Sequence, residues 1–194
     1  MTPSKYRFNN RTLSLMVVGI AINMSGGELN SMLKLPLFMD SIGSIIVALL
    51  AGPWAALCTG LTTNLIWGLI SGPVAAAFAP VAGVIGLVAG LCAQRGGFKS
   101  FPKVLLSGVL IALALTLVAA PIRAYLFGGA TGSGADFIVA YFTAVGDGLL
   151  QSVALTVIGA NLADKIIACL IAWQLVRRLP QRSRNQFDDA AAVS

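Results

Sequence analysis

Long apolar runs alternate with short polar, Gly- or Pro-containing breaks along this 194-residue chain. A helix that crosses a membrane needs roughly 20 mainly apolar residues, and Gly and Pro mark the turns between such helices. The pattern therefore predicts an all-α integral membrane protein. The six predicted transmembrane helices run over Leu13–Ser25, Leu37–Ala51, Trp54–Ile70, Val74–Ala93, Val104–Phe127 and Ala163–Leu179.

A further apolar stretch, Phe137–Gly159, is interrupted by Asp147 and Gln151. A seventh crossing would put the arginine-rich tail outside, against the positive-inside rule. We therefore expect short helices in a partly buried outer loop over about 128–161, because irregular backbone at membrane depth is tolerated where protein or a cavity surrounds it. The glycine-rich segment 128–134 suits a mobile gate and a plain linker equally well.

The composition indicates that lipid, and not water, surrounds most of the chain. With 57% hydrophobic and 10% charged residues and a mean hydropathy of +0.87, the chain is far from the roughly 25% charged residues of soluble domains. It has no histidine, which removes the commonest general base and metal ligand. The cysteines Cys58, Cys92 and Cys169 lie far apart without CxxC spacing, so we expect core residues and no metal site or cofactor.

The basic residues indicate the orientation. Ten of the 13 Lys and Arg residues fall in three clusters that flank apolar segments: Lys5, Arg7, Arg11; Arg95, Lys99, Lys103; Arg177, Arg178, Arg182, Arg184. Cytoplasmic ends carry such clusters, so six helices place both termini in the cytoplasm. The predicted organisation is a cytoplasmic segment 1–12, a membrane domain 13–179 and a disordered cytoplasmic tail 180–194.

The net charge of +6 does not indicate a nucleic acid partner. Such a partner would require a basic face beside stacking aromatics or base-reading groups, which the sequence lacks. Membrane lipid is the expected environment of the apolar helices. An enzyme is not expected either, because no acid, base and nucleophile converge in the sequence and the phosphate-binding motif GxxxxGK[ST] of ATPases is absent.

Polar side chains within the apolar segments gather at the predicted outer ends. They include Asn23, Glu28, Asn30, Lys34, Asp40, Asn64, Trp67, Arg123, Tyr125, Asp147, Gln151, Asn161, Asp164 and Lys165. A one-sided set favours an outward-facing pocket over a channel, which needs polar lining through its full length. Asp40 and Asp164 are equally well explained as helix caps, and Lys165 as a snorkelling side chain. Arg123 needs an anionic partner, for which Asp40 and Asp147 are the candidates.

Four short motifs carry a family resemblance. The stretches that resemble the S components of energy-coupling factor (ECF) vitamin transporters are Leu35-Pro-Leu-Phe-Met-Asp-Ser-Ile-Gly-Ser, Leu50-Ala-Gly-Pro-Trp-Ala-Ala-Leu, Leu61-Thr-Thr-Asn-Leu and Ala163-Asp-Lys-Ile-Ile-Ala-Cys-Leu-Ile-Ala. The resemblance covers nearly the whole chain. It implies an S-component-like bundle in the bacterial cytoplasmic (inner) membrane, a multi-pass subunit that captures a vitamin or vitamin precursor from outside. It also implies association with a T component and two ATPase subunits.

The resemblance extends to site residues. The family binds its ligand with the loop after helix 1 and the outer ends of later helices, which correspond here to Asn30, Lys34, Asp40, Asn64, Trp67, Arg123, Asp147 and Asn161. Tyr125 and Gln151 lie among the same outer ends and complete the predicted site. Trp67 and Tyr125 suit a flat heterocycle, and Arg123 or Lys34 would meet a carboxylate or phosphate.

Helix 1 carries the predicted docking face for the T component. The family often has Ala-xxx-Ala there, and this chain offers Gly19, Ala21 and Ser25, with Asn23 as a departure from the pattern. Small residues also serve close packing within a chain, so both roles are open. Two other functions remain as alternatives, a solitary S-like transporter and a membrane sensor or regulatory module.

Overall fold

The computed structural model describes residues 8–33 and 37–187, and within these ranges it contains helices and no strand. The helices are α1 (Asn10–Leu33), α2 (Ile42–Ser71), α3 (Pro73–Ala77), α4 (Ala79–Gln94), α5 (Phe101–Pro121), α6 (Asp136–Val145), α7 (Leu149–Arg178) and α8 (Gln181–Arg184). A π-helical turn, Ile122–Leu126, continues α5. The all-helical prediction is confirmed.

Helix α2 reverses direction at Gly52. This residue has φ 83° and ψ 179° and is followed by Pro53, and only glycine adopts such a φ readily. Ser44 and Thr63 flank the reversal and both accept hydrogen bonds from the same amide, Asn23, whereas a straight helix would separate them by nearly 30 Å. The two arms of α2, 42–51 and 53–71, are therefore antiparallel, as the Gly-Pro break predicts.

Helix α1 packs against both arms of α2. Its residues Gly19, Asn23 and Gly27 meet partners of the second arm 40 positions further along the chain, so these two helices are parallel. Against the first arm it is antiparallel, and Gly19 and Gly43 meet so closely that a Cβ on Gly43 would overlap the Gly19 carbonyl. Small residues permit this approach of two backbones.

The remaining packing extends the bundle in the same manner. Helix α4 runs antiparallel to the second arm of α2, where a Cβ on Gly60 or Gly86 would overlap the backbone of Ala82 or Ala56. Helix α5 packs on α7, with Gly108 against the backbone of Ile166. The apolar core runs through α2, α4, α5 and α7, where Ile45, Ala89, Ile111 and Cys169 are among the buried residues.

Four helices are long and apolar enough to cross a membrane: Asn10–Leu33, Ile42–Ser71, Phe101–Leu126 and Leu149–Arg178. This is compatible with a membrane protein. The first arm of α2 rises only about 15 Å, half of a hydrocarbon core of about 30 Å, so the predicted second helix is too short to cross on its own. Helix α1 is peripheral, since 22% of its most apolar window is buried against 67% in α2.

Several predicted helix bounds differ from the structure. Helix α1 continues beyond Ser25 to Leu33 because Gly27 and Asn30, expected in a loop, face partners inside the fold. The predicted fourth helix is divided at Phe78 into α3 and α4.

The segment predicted as an outer loop, about 128–161, contains one short helix and the first part of a long one. Helix α6 is the expected short helix, but the residues from Leu149 onward belong to the same long helix as Lys165. Asn161, Asp164 and Lys165 interrupt the hydropathy there without ending the helix, because each is buried and hydrogen-bonded. In the predicted tail, Gln181–Arg184 form one helical turn, and residues 188–194 lie outside the described part.

Candidate ligand-binding site

A cavity of about 410 Å³ lies among α1, the segment 37–40, the second arm of α2, α3, α4, α5, the segment 131–134 and α7. Pockets for small molecules are typically about 300–1,000 Å³. Apolar side chains, among them Val81, Ile85, Leu115 and Val157, and polar side chains both line the cavity. Because every major helix contributes, the site exists only in the assembled bundle.

Six of the ten predicted binding residues line this cavity: Asn30, Asp40, Asn64, Trp67, Arg123 and Asn161. They come from five separate stretches of the chain, so the fold brings together what the sequence holds apart. Lys34 lies outside the described residues. Glu28, Asp164 and Lys165 were noted in the sequence as outer polar groups but were not assigned to the site, although Glu28 and Lys165 also line the cavity.

Three predicted residues lie elsewhere. Tyr125 is 74% exposed and does not line the cavity, because side chains two positions apart on a helix, such as those of Arg123 and Tyr125, point to different sides. Asp147 and Gln151 form a hydrogen bond with each other at 2.9 Å at the start of α7. Asp147 lies in the turn that precedes α7 and Gln151 lies in the first turn of that helix, and neither residue lines the cavity.

Aromatic side chains form one wall. The indole of Trp67 lies against Gly27 of α1, where a side chain would overlap it. Phe38 and Phe78 line the cavity as well, and Phe78 is stacked on Phe127 with ring centroids 5.9 Å apart. Trp67, Phe38 and Phe78 thus make part of the cavity lining aromatic.

A buried ion cluster closes the wall between α7 and the segment 37–41. Lys165 is 1% exposed, and its Nζ donates to Asp164, to Ser41 Oγ at 2.9 Å and to Asp40 Oδ1 at 3.4 Å. Asp164 also accepts the backbone N–H groups of Phe38 and Met39 at 3.2 and 2.8 Å. The explanations of Lys165 as a snorkelling side chain and of Asp164 as a helix cap are therefore wrong, because both are interior groups that fix the cavity segment.

Arg123 is paired with Asp136, which replaces the predicted partners Asp40 and Asp147. Its Nε also donates to the Gly129 carbonyl at 2.9 Å. The same carboxylate accepts the backbone N–H groups of Thr131 and Gly132. Asp136 thereby fastens the cavity segment 131–134 to Arg123, and the sequence signal was its position at the first turn of α6 behind a glycine-rich run.

Two amide side chains are oriented by backbone carbonyls. Asn64 Nδ2 donates to Ala75 O at 3.1 Å, and Asn161 Nδ2 donates to Val157 O at 2.9 Å. These carbonyls can only accept, so the amide nitrogens must face them. Asn64 Oδ1 is buried and receives no hydrogen bond from the described residues.

Asn23, predicted among the outer polar residues and noted as a departure from the docking motif, is fully buried. Its Oδ1 accepts the N–H of Gly43 at 2.8 Å and that of Ser44 at 3.2 Å, and its Nδ2 donates to Ser44 and Thr63. The amide therefore caps the first turn of α2 from a neighbouring helix. Gly19 lies on the same buried face, whereas Ala21 and Ser25 lie on the exposed one.

A scan against protein-family models finds no match, and searches of curated proteins and of solved structures find no similar protein. The site is therefore interpreted on its own geometry. Within 8–33 and 37–187, no group of three or more Cys, Asp and Glu side chains is arranged to hold a metal ion.

Proposed function

We propose that this protein is a membrane-embedded binding subunit that captures a vitamin or vitamin precursor and delivers it inward as the S component of an ECF-type transporter. The observation that carries the proposal is the cavity, into which Asn30, Asp40, Asn64, Trp67 and Arg123 converge from distant parts of the sequence. Its size and its mixture of aromatic and polar walls are those of a small-molecule site.

The position of the cavity along the helices supports capture from outside. Lys165 precedes Arg177 by twelve residues on α7, which corresponds to about 18 Å. Arg123 follows Lys103 by twenty residues on α5 and its π-helical turn, or about 30 Å. If the basic clusters are cytoplasmic, the cavity lies near the opposite surface. The proposal thus includes six membrane-embedded segments with both termini inside the cell, in a bacterial cytoplasmic membrane.

Transport against a gradient requires energy that this chain does not supply by a phosphate-binding motif. The proposal therefore includes a T component and two ATPase subunits as partners. The exposed small residues Ala21 and Ser25 on α1 are the proposed contact for the T component. Gly19 is not part of that contact, because Gly43 and Val47 cover it.

Ligand capture is tested by native mass spectrometry of the purified protein, followed by denaturation and identification of any released molecule. A panel of vitamins is then tested for an increase in thermal stability. Trp67→Leu should abolish retention of the ligand, and Trp54→Leu is the matched control because Trp54 is exposed and does not line the cavity. Protein that is consistently empty and unaffected by the panel would contradict the proposal.

Two further experiments test the partners and the topology. Co-expression with T and ATPase subunits should give a complex that Ser25→Leu weakens and Gly159→Leu, at an open position on α7, does not. In a cysteine-free background, a cysteine at Ser100 should be labelled from the cytoplasm and one at Ser133 from outside. Absence of a complex would favour the solitary or sensor alternatives, and labelling of both positions from one side would contradict the topology.

A further inference from the structure

The positive charges in the described cavity wall are all paired with carboxylates, whereas the negative charges are not all paired with cations. A lysine ammonium has three N–H donors, and those of Lys165 are directed to Asp164, Ser41 and Asp40. Arg123 is neutralised by Asp136. Both cations of the described wall therefore have anionic partners within the protein.

The carboxylates exceed these cations in number. Glu28 lines the cavity and makes no ion pair or hydrogen bond with the residues that the structure describes. Asp40, whose side chain is 25% exposed, shares Lys165 with the fully buried Asp164. Four carboxylates, Glu28, Asp40, Asp136 and Asp164, thus face two cations, which leaves a formal charge of −2 in the described wall and its immediate partners.

The amides add to this asymmetry. Asn64 is 6% exposed, and its Oδ1 is a buried acceptor without a donor among the described residues. Asn161 also directs its amide nitrogen to a backbone carbonyl. A buried acceptor without a partner is costly, so a ligand that donates an N–H group to Asn64 would remove that cost.

We infer that the ligand of this cavity is a planar, nitrogen-containing cation that donates hydrogen bonds, such as an amidinium or an amino-substituted aromatic heterocycle, and not an anion. Its ring lies against the aromatic wall of Trp67, where a cation also gains from the negative face of the indole. Its N–H groups meet Asn64 Oδ1 and the carboxylates of Asp40 and Glu28. This conclusion rests on the proposed binding function of the cavity, and it replaces the expectation of a carboxylate or phosphate held by Arg123.

The test uses three probes of nearly the same shape and different charge: benzamidine, a cation with N–H donors; benzamide, which is neutral; and benzoate, an anion. Binding to the full-length protein in lipid nanodiscs is measured by saturation-transfer NMR, with Trp67→Leu as the background for binding outside the cavity. We expect benzamidine to bind about 10-fold more tightly than benzoate, with benzamide in between. Equal or tighter binding of benzoate, or no Trp67-dependent binding of any probe, would overturn the inference.

Substitutions of the cavity carboxylates then test whether they cause the preference for a cation. Glu28→Gln should weaken benzamidine binding about 3- to 10-fold and leave benzamide unchanged, because only the charge is removed. Asp40→Asn should act in the same direction. Asp147→Asn is the control, since Asp147 lies off the cavity and its carboxylate accepts a hydrogen bond from Gln151. An equal effect of Glu28→Gln on benzamidine and benzamide would contradict the role given to charge.

The molecule released from purified protein separates this inference from the proposed function. A cationic heterocycle would support both. A retained anionic vitamin would preserve the binding function and overturn the inference about charge. Empty protein that binds benzamidine in the Trp67-dependent manner would support the electrostatic inference while contradicting high-affinity vitamin capture.

Discussion

Gly27 of α1 lies directly against the indole of Trp67, so that any side chain at position 27 would overlap the ring. Because Trp67 and Gly27 both line the cavity, Gly27→Ala should displace the ring and change the ligand space. We expect at least 10-fold weaker ligand binding and a loss of about 1–3 kcal/mol in the free energy of unfolding, as for other overpacked positions. Ligand titration and denaturant unfolding in micelles measure the two effects.

The control for this substitution is Gly159→Ala on α7, where a Cβ meets no atom within 4 Å. Alanine is the better helix former, so this variant should be neutral or slightly more stable. Unaltered ligand binding by Gly27→Ala would contradict the placement of Trp67.

Asn23 is predicted to be a stability residue. Asn23→Ala removes the cap on the first turn of α2 and the hydrogen bonds to Ser44 and Thr63, and leaves buried polar groups without partners. We expect a loss of about 2–4 kcal/mol in the free energy of unfolding. Ser25→Ala, an exposed change on the same helix, should have almost no effect on the same measurement, and similar losses for both variants would contradict the capping role.

Arg123 and Asp136 are expected to act as one unit. Asp136→Asn and Arg123→Gln should each increase hydrogen exchange of the backbone amides at 131–134, because both weaken the pair that fastens this segment. The double variant should show little more than the single ones, since neighbouring groups in one network are not additive. Additive increases would show that the two residues order the segment independently.

Lys165 is predicted to be needed mainly as the partner of Asp164. Lys165→Met leaves two carboxylates without their cation, one of them 1% exposed, and should destabilise the protein by about 3–5 kcal/mol. Adding Asp164→Asn should restore a substantial part of that loss, measured as the midpoint of thermal unfolding. Further destabilisation by the second substitution would contradict a dominant role for the buried charge.

The sequence predicts the helical architecture well where breaks are made by backbone chemistry. Gly52-Pro53 gives the reversal of α2, because its φ requires glycine. Hydropathy fails to predict the helix ends where a polar side chain within a helix is hydrogen-bonded to a residue far away in the sequence. Asp164 lowers the local hydropathy, yet it lies inside the continuous helix α7 because its carboxylate accepts the backbone N–H groups of Phe38 and Met39, 126 and 125 positions earlier in the chain.

The same reason limits prediction of the site. Asn64 and Trp67 were accessible from sequence because they share one face of a helix, and both line the cavity. The partner of Arg123 could not be predicted from the sequence. Asp136 lies thirteen residues further along the chain, beyond a turn whose shape does not follow from the helical periodicity. Tyr125 does not line the cavity because a residue two positions after Arg123 points to another side of the helix.

The repeated spacing between α1 and the second arm of α2 has a mechanical consequence. Gly19, Asn23 and Gly27 face Thr59, Thr63 and Trp67 at successive turns, and each pair differs in size and polarity from the next. Sliding α1 by one turn, about 5.4 Å, would press the Asn23 amide against Trp67 or Thr59 and withdraw it from the start of the first arm. Helix α1 therefore fits the second arm of α2 at one position along its axis. A displacement of α1 caused by contact at its exposed face would move Trp67 in the cavity wall as well.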